Sequence, residues 1–465
     1  MTDGEDGIRD RNGDGPTETH VVTVFLRHDA DVLLLCRSDE VGSYRGRWGA
    51  VAGHAEGDPD AAARREIREE TGLDPSADVR FIRRGDRFAV VDADLDRRWI
   101  VHPFLFAAGT RAVETNYETT AHEWVQPTAI LDRETVPDLW RSYDRVRPTV
   151  ETVRDDREHG SAALSVRALE VLRDEAAIAD DRGSGDGTAN DGAGDSQNWT
   201  DLIATARALR DARPAMPVVA NRVNRVMADA SERRTPASLL RAAIEGIDRA
   251  LDADERAAAR AATRLPDRVA TLSRSGTVLS AISRSDPKFV LLPESRPGRE
   301  GVTAVERIAV EIETDETEID ETEIDETDAG VTLTTDAAFG ETFADRDVEA
   351  LVVGADAILA DGRVVNKVGT RGATAIAAAE GADRYVVAAA DKVRPADSGA
   401  EFDREERDPT TVYDGDADLE VVNPTFGATP TERFDAVITE DGTLDAAGVR
   451  EVAAAHRRRA GWDVK

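Results

Sequence analysis

The stretch GHAEGDPDAAARREIREETGL, residues 53–73, decides the fold of the first part of the chain. In it Glu66, Glu69 and Glu70 lie at positions i, i+3 and i+4, so on a helix their carboxylates project from one face. Three neighbouring carboxylates repel one another unless a cation neutralises them, and hard oxygen ligands suit Mg²⁺ or Mn²⁺. The spacing therefore predicts a metal-holding helix, with the solvated face of an acidic protein as the alternative.

Strand-like sequence surrounds this helix. Residues 19–38 hold two apolar runs joined by the turn HDAD, and RWIVHPFLFAA, residues 98–108, is a further predicted strand. These patterns predict a compact α/β domain over residues 19–147. Residues 1–18 are rich in Gly and Asp, which predicts a disordered tail.

The stretch RGRWGAVAGHAEG, residues 45–57, together with the following helix resembles the Nudix box of the Nudix hydrolase family. The resemblance covers about residues 19–146 and implies an α/β/α sandwich. It also implies that water attacks a diphosphate linkage, commonly in a nucleotide derivative, with Mg²⁺ or Mn²⁺ as cofactor. By the same resemblance Arg65 orients the acidic cluster, and the metal is bound by four residues: Gly53, Glu66, Glu69 and Glu70.

The box departs from the usual Nudix pattern at one place. Between Gly53 and Arg65 the chain is two residues shorter, and Asp58 is the available stand-in for the upstream glutamate of the family. This departure bears on the loop that leads into the helix.

Beyond residue 147 the apolar spacing becomes helical, which predicts a helical subdomain over residues 148–265. Within it, residues 179–198 have the Gly, Asp and Ser composition of a flexible linker or insertion. Thr235 is predicted to cap a helix that has Pro236 at its first position.

Short apolar strands alternate with helices over residues 266–465, which predicts a Rossmann-like, doubly wound parallel sheet. The acidic repeat ETDETEIDETEIDETD, residues 313–328, interrupts this alternation and is interpreted as a solvated insertion. Ligands of doubly wound folds bind beyond the carboxyl ends of the strands. Polar and charged residues are expected there in a phosphate-binding pocket: Ser273, Arg296, Asp356, Asn366 and Lys367.

Several of these segments resemble the initiation factor 2B alpha/beta/delta family, which includes ribose-1,5-bisphosphate and methylthioribose-1-phosphate isomerases. The motifs are SRSGTVLSAI, PESRPGREG, DAAFG and VVGADAILADGRVVNKVGT, and the resemblance covers about residues 148–400. It implies that Asp356 matches the aspartate of the isomerases. It also implies four phosphate- or sugar-binding residues: Arg213, Arg296, Asn366 and Lys367.

Ser273 occupies the position of the isomerases' cysteine, and Glu300 stands where they tend to have an amide. A hydroxyl is a far poorer proton donor than a thiol, whose ordinary pKa is about 8.5. These two differences argue against isomerase chemistry and for a ligand-binding or regulatory module.

The composition limits the partners. The 93 acidic and 59 basic residues give a net charge of −34, which argues against nucleic acid and is typical of a protein adapted to high salt. The single cysteine, Cys36, excludes an internal disulfide and a Cys-based zinc site. No apolar run approaches the length of a membrane span, and the first residues lack the basic start and apolar core of a signal peptide, so we expect a cytoplasmic protein with no membrane partner.

Three functions compete at this stage. The first is a Mg²⁺-dependent hydrolase of a nucleotide-like diphosphate, fused to a regulatory module that binds a sugar phosphate or nucleotide. The second is a non-catalytic, translation-regulatory protein, and the third is a sugar-phosphate isomerase. A homo-oligomer formed through the C-terminal module and a translation initiation factor are the expected macromolecular partners.

Overall fold

The computed structural model describes residues 17–55, 57–184, 193–315, 330–398 and 401–463. The chain folds into two compact units, Met1–Arg147 and Pro148–Lys465. None of the helices in the described part is long and apolar enough to cross a membrane.

The first unit is an eight-stranded mixed sheet with helices on both faces. Its elements are β1 (Thr17–His28), β2 (Asp31–Arg37), β3 (Trp48–Gly49), β4 (Val51–His54), α1 (Pro59–Thr71), β5 (Val79–Arg84), β6 (Phe88–Asp92), β7 (Arg97–Ala108), β8 (Thr119–Val125), α2 (Ala129–Asp132) and α3 (Leu139–Asp144). Strands β1 and β7 pair in parallel at the centre, and the other pairings are antiparallel. The predicted α/β/α sandwich is confirmed.

Alternation along β1 explains the two helical layers. Val24 and Leu26 pack in the same core cluster as Ile67 of α1, whereas Phe25 between them packs with Leu139 and the rest of the α3 side. Because successive side chains of a strand point to opposite faces, one apolar strand supplies both cores.

The predicted helix in the opening stretch is confirmed as α1. Asp58 is its N-cap, and its carboxylate accepts hydrogen bonds from the backbone N–H groups of Asp60 at 3.0 Å and Ala61 at 3.3 Å. Pro59 occupies the first helical position, and Gly72 ends the helix in the left-handed conformation at φ 73°. The carboxylate of Asp58, the stand-in for the family's upstream glutamate, is thus used as a helix cap.

The second unit begins with helices and continues as a sheet. The elements are α4 (Val150–Asp155), α5 (Ser161–Ser184), α6 (Ala193–Arg210), α7 (Pro217–Ala230), α8 (Pro236–Ala262), β9 (Arg268–Ala270), α9 (Gly276–Ser285), β10 (Phe289–Pro293), α10 (Glu300–Asp315), β11 (Val331–Thr334), α11 (Phe339–Asp345), β12 (Ala350–Val353), β13 (Ala357–Ile358), β14 (Arg363–Lys367), α12 (Thr370–Ala379), β15 (Asp383–Val387), β16 (Phe426–Pro430), β17 (Ala436–Thr439), β18 (Gly442–Leu444) and α13 (Ala446–Arg459). Short 3₁₀ turns include Ala390–Lys392 and Ala460–Asp463.

Two predicted insertions overlap helices. Helix α5 continues to Ser184 and α6 begins at Ala193, so both ends of the predicted linker 179–198 are helical, and 185–192 lie outside the described residues. The linker prediction relied on Gly and Asp composition, yet Ala176 and Ala177 just before that stretch and Ala179 at its start are buried, and α5 continues through them. Helix α10 likewise runs to Asp315, and the rest of the acidic repeat lies outside the described residues.

The large sheet has the order β11-β10-β9-β12-β15-β17-β18 and is parallel except for β18. The chain runs outward in one direction from β9 and in the other from β12, so the switch point of the doubly wound fold lies between these two strands. The predicted Rossmann-like sheet is confirmed.

A small antiparallel sheet, β13-β14-β16, was not predicted. It carries Asn366 and Lys367 on β14, paired with Gly427 and Phe426 of β16. The sequence predicted that these two residues follow the carboxyl end of a parallel strand. They lie instead on an antiparallel strand of the small sheet. The pairing joins segments far apart in the chain, which local patterns cannot show.

The start of α10 depends on close backbone contact with the end of β10. A Cβ atom added to Gly301 would lie 1.9 Å from the carbonyl oxygen of Pro293. We expect Gly301→Ala to destabilise the fold by about 2 kcal/mol or more, because backbone atoms must shift to relieve the overlap. Thermal unfolding measures the effect. Gly276→Ala is the matched control, because no atom lies within 4 Å of its added Cβ, and equal midpoints for the two variants would contradict the packing described here.

Candidate functional sites

Helix α1 presents its acidic face to strand β4. Glu66 and Glu70 are buried, at 9% and 6% exposure, whereas Glu69 is exposed. The Glu66 carboxyl group lies against the backbone of Gly53, where an added Cβ would be 2.1 Å from Glu66 Cδ. A glycine is therefore required at position 53 for the helix to approach the strand this closely.

Arg65 holds the two elements together. Its Nη2 donates to Glu66 Oε1 at 3.1 Å and to the carbonyl oxygen of His54 at 3.1 Å. Glu70 Oε1 accepts a hydrogen bond of 3.4 Å from the backbone N–H of Ala52. The orienting role that the Nudix resemblance implies for Arg65 thus has a geometric basis in its contact with Glu66.

Burial raises the pKa of both carboxyl groups. Burial and the nearby charge of Glu66 together raise the pKa of Glu70 to about 8, against the opposing effect of the hydrogen bond from Ala52. Burial also raises the pKa of Glu66, although Arg65 opposes that shift. Two buried carboxyl groups one helical turn apart favour a cation that would displace their protons.

Glu118 was missed by the sequence analysis. It lies just before β8, and its charge raises the pKa of both Glu66 and Glu70, which places it beside the acidic face. Its backbone oxygen accepts from the N–H of Ser38 at 2.7 Å. The pairing of β2 with β8 brings Glu118 to this position, and no motif or residue spacing in the sequence predicts that pairing.

The donor atoms are of the kind that a hard divalent cation prefers. They are carboxylate oxygens and the backbone of Gly53, which the Glu66 carboxyl group approaches too closely to allow a side chain at position 53. In the structure, the Glu66 carboxylate accepts a hydrogen bond from Arg65, and the Glu70 carboxylate accepts one from the N–H of Ala52. Over the described ranges, no three His, Cys, Asp or Glu side chains are gathered closely enough to hold a metal. Binding would therefore require Glu69 and its neighbours to converge.

In the second unit, the loops that follow β9, β10 and β11 are tied together. Ser273 has a left-handed backbone at φ 66°, and its N–H donates to the buried Ser295 Oγ at 2.8 Å. The carboxylate of Asp336 accepts from the N–H of Ser295 at 2.9 Å and of Arg296 at 2.8 Å. Ser273 and Arg296 are thereby brought to one edge of the sheet, as expected.

Lys367 is buried and forms an ion pair with Glu300, the first residue of α10. Burial lowers the pKa of Lys367, and Glu300 opposes that shift. Glu300 Oε2 is buried and has no hydrogen-bond partner among the described residues. A ligand phosphate competing with Glu300 would thus find a desolvated ammonium group.

Asp356 follows β12 at the switch point and lies among cations. Burial raises its pKa, while Lys392, a hydrogen bond with Ser161 and the charge of Lys367 lower it. Lys392 is 3% exposed and was missed by the sequence analysis. The sequence feature that could have indicated Lys392 is the scarcity of lysine. The chain has only four lysines, and two of them lie near Asp356.

Arg213 and Asn366 complete the predicted set. Arg213 donates to the carbonyl oxygen of Asp156 and lies 3.5 Å from Glu405, whose charge also acts on Asp356. Asn366 Nδ2 donates to Thr370 Oγ1 at 3.0 Å, so this amide is used at the start of α12. The structure therefore brings Lys367, Asp356 and Arg213 into one charged network and places Asn366 beside it.

Comparisons with known proteins agree with this division. The NUDIX domain profile matches residues 17–146, and the profile of the initiation factor 2 subunit family matches residues 157–446. The chain belongs to the initiation factor 2 subunit family. Its N-terminal unit is a Nudix domain.

Individual relatives of the initiation factor 2 unit have different names. Ribose 1,5-bisphosphate isomerase from Haloferax volcanii is 31% identical over 318 residues, covering 65% of this chain and 89% of that protein. Methylthioribose-1-phosphate isomerase from Synechocystis sp. is 35% identical over 121 residues, or 34% of its own length. The solved translation initiation factor eIF-2B from Pyrococcus horikoshii is 24% identical at a TM-score of 0.49, with 63% of this chain and 94% of that chain covered.

Glu70 should give the Nudix domain a distinctive pH dependence. Its folded pKa, about 8, lies above the ordinary value of 4.5, so its contribution to stability is full below 4.5 and is lost as pH rises toward 8. In EDTA we expect Glu70→Gln to become more stable than the wild type across that range, by a few kcal/mol at the upper end. Tryptophan fluorescence during heating reports the change, since Trp48, Trp99, Trp124 and Trp140 lie in this unit.

The control for this experiment is Glu69→Gln, which removes an exposed carboxylate from the same helix. Parallel pH profiles for the wild type and Glu70→Gln would show that Glu70 is not buried as described.

Proposed function

We propose that the Nudix domain is a Mg²⁺- or Mn²⁺-dependent hydrolase of a nucleotide-like diphosphate. We propose further that the initiation factor 2 unit binds a sugar phosphate or nucleotide in a regulatory role. The observation that carries the first proposal is the pair of buried carboxyl groups, Glu66 and Glu70, held against the backbone of Gly53. Buried acids with raised pKa values are typical of functional sites.

In the hydrolase, Glu66, Glu69, Glu70 and the Gly53 carbonyl oxygen would hold the metal. When bound, the metal supplies charge neutralisation for the diphosphate and a more acidic water. Arg65 keeps Glu66 against β4 through its bonds to Glu66 and His54. Glu118 adds a fourth carboxylate on the facing side of the site.

In the initiation factor 2 unit, the proposed phosphate contacts are Arg296, Asn366, Lys367 and the loop of Ser273, with Arg213 nearby. Asp356 would accept hydrogen bonds from ligand hydroxyl groups. The support is their arrangement around the switch point, where doubly wound folds bind ligands. We further propose that the protein is cytoplasmic and self-associates through this unit, with a translation initiation factor as a candidate partner.

Isomerisation is the second candidate, because Asp356 lies beside two buried lysines and the Haloferax volcanii relative is named an isomerase. Ser273 argues against it. A serine hydroxyl does not supply the thiol chemistry of the position that it occupies. The Glu300 carboxylate on Lys367 also adds negative charge where a phosphate would bind.

The hydrolase proposal predicts the effect of single carboxylate changes. We expect Glu70→Gln and Glu69→Gln each to lower metal-dependent hydrolysis about a hundredfold or more, since several kcal/mol of charge stabilisation is lost. Phosphate release from a panel of nucleoside diphosphate derivatives, in high salt with and without Mg²⁺, is the measurement. Glu123→Gln, an exposed carboxylate paired with Arg133, is the control. Full turnover in both α1 variants would remove the catalytic role of this helix.

The binding proposal predicts affinity without turnover. We expect Arg296→Ala to weaken ribose phosphate binding about tenfold or more in calorimetry, because an exposed phosphate contact is lost without disturbing the core. Arg284→Ala, an exposed arginine paired with Glu255, is the control. Ser273→Cys is expected to gain isomerase activity on ribose-1,5-bisphosphate. Turnover of that compound by the unaltered protein at an enzymatic rate would overturn the regulatory role.

A further inference from the structure

A cavity of about 530 Å³ lies in the initiation factor 2 unit. It is lined by α7, α8 and α13, by Ala390 and by the turn after β17. Ala390 and Glu440 follow the ends of β15 and β17, so the cavity opens at the carboxyl edge of the sheet. None of the residues assigned above to the Asp356 site lines it.

The cavity wall carries four arginines alongside four acidic residues, Asp229, Asp252, Glu440 and Asp441. Arg225, Arg249, Arg256 and Arg459 all line it. Arg256 donates to the carbonyl oxygen of Glu440 at 3.0 Å, and Arg249 lies 3.6 Å from Asp229. Two of the four arginines are therefore held by neighbours at the rim.

The other two arginines have unused hydrogen-bonding capacity. Arg459 makes no side-chain hydrogen bond or ion pair within the part of the chain that the structure describes, and burial and the charge of Arg225 lower its pKa. The η-nitrogens of Arg225 bind Asp391, but its Nε is buried and has no partner among the described residues. Arg459 and the Nε of Arg225 therefore have donor capacity that no described residue uses.

His456 provides the complementary acceptor. It is 2% exposed, and its Nε2 lies 3.3 Å from the carbonyl oxygen of Ala390, which can only accept, so Nε2 carries the hydrogen. Nδ1 is then a lone-pair acceptor, and it is buried without a partner in the described part of the chain. A buried acceptor of this kind costs free energy unless a donor reaches it.

We propose that this cavity binds a hydroxylated phosphate ester, as a site distinct from the one at Asp356. Arg459 would receive the phosphate, because guanidinium groups match phosphate oxygens in geometry and charge, and the unpaired Nε of Arg225 would be a second donor. A ligand hydroxyl would donate to His456 Nδ1, and Asp229 lies on the wall to accept from another. The volume falls within the range of about 300–1,000 Å³ that is common for small-molecule sites.

Calorimetric titration of the full chain with ribose 5-phosphate tests the proposal. The wild type is expected to show two binding events, of which Arg459→Ala weakens one about tenfold or more. Arg296→Ala weakens the other. Arg458→Ala is the matched control, because it removes the exposed neighbour of Arg459 on the same helix, outside the cavity lining. Ribose without phosphate is expected to bind at neither site.

The outcomes separate this inference from the function proposed above. A single event that Arg459→Ala leaves unchanged overturns the cavity site and leaves the Asp356 site standing. A single event lost in Arg459→Ala and kept in Arg296→Ala supports the cavity and overturns the other. No binding at all overturns both. Arg459→Gln repeats the test with an uncharged side chain, and circular dichroism confirms that each variant is folded.

Discussion

A carboxylate withdrawn from water must acquire a proton, a cation or hydrogen-bond donors, and this constraint determines the chemistry of both units. Glu70 has one weak backbone donor and no cation, so its pKa rises to about 8. Asp391 is also buried, but Arg225 and Arg222 overcome the effect of burial and lower its pKa. The first carboxyl group keeps its proton near neutral pH, and the second is a buried ion pair with two arginines.

Much of the fold could be predicted from local sequence. Asp58, Pro59 and Gly72 bound α1 as its sequence indicates, and Thr235 forms a capping box at the start of α8. These helix ends are determined by a few residues that are close together in the sequence, so they can be predicted from the sequence alone. The alternation of short apolar strands with helices likewise predicted the doubly wound sheet.

The remaining features depend on tertiary contacts. Glu118 reaches the acidic face through the pairing of β2 with β8, and Lys392 reaches Asp356 from a turn that follows β15. In the small sheet that carries Lys367, β14 pairs with β16 although α12, β15 and a long connection lie between them in the chain. No periodicity relates these partners, because their proximity is decided by the packing of whole elements.

The 3₁₀ turn Ala390–Lys392 carries adjacent side chains that serve different networks. Asp391 binds Arg222 and Arg225, whereas the charge of Lys392 acts on Asp356. Asn221 anchors the turn, since its Nδ2 donates to the carbonyl oxygens of Asp391 and Val393, each at 2.8 Å. A movement of Arg225 would therefore act on the turn that also carries Lys392, whose positive charge lowers the pKa of Asp356. We therefore expect ligands at the two proposed sites to be linked through this turn, and because such linkage is reciprocal, each would change the affinity of the other by the same factor.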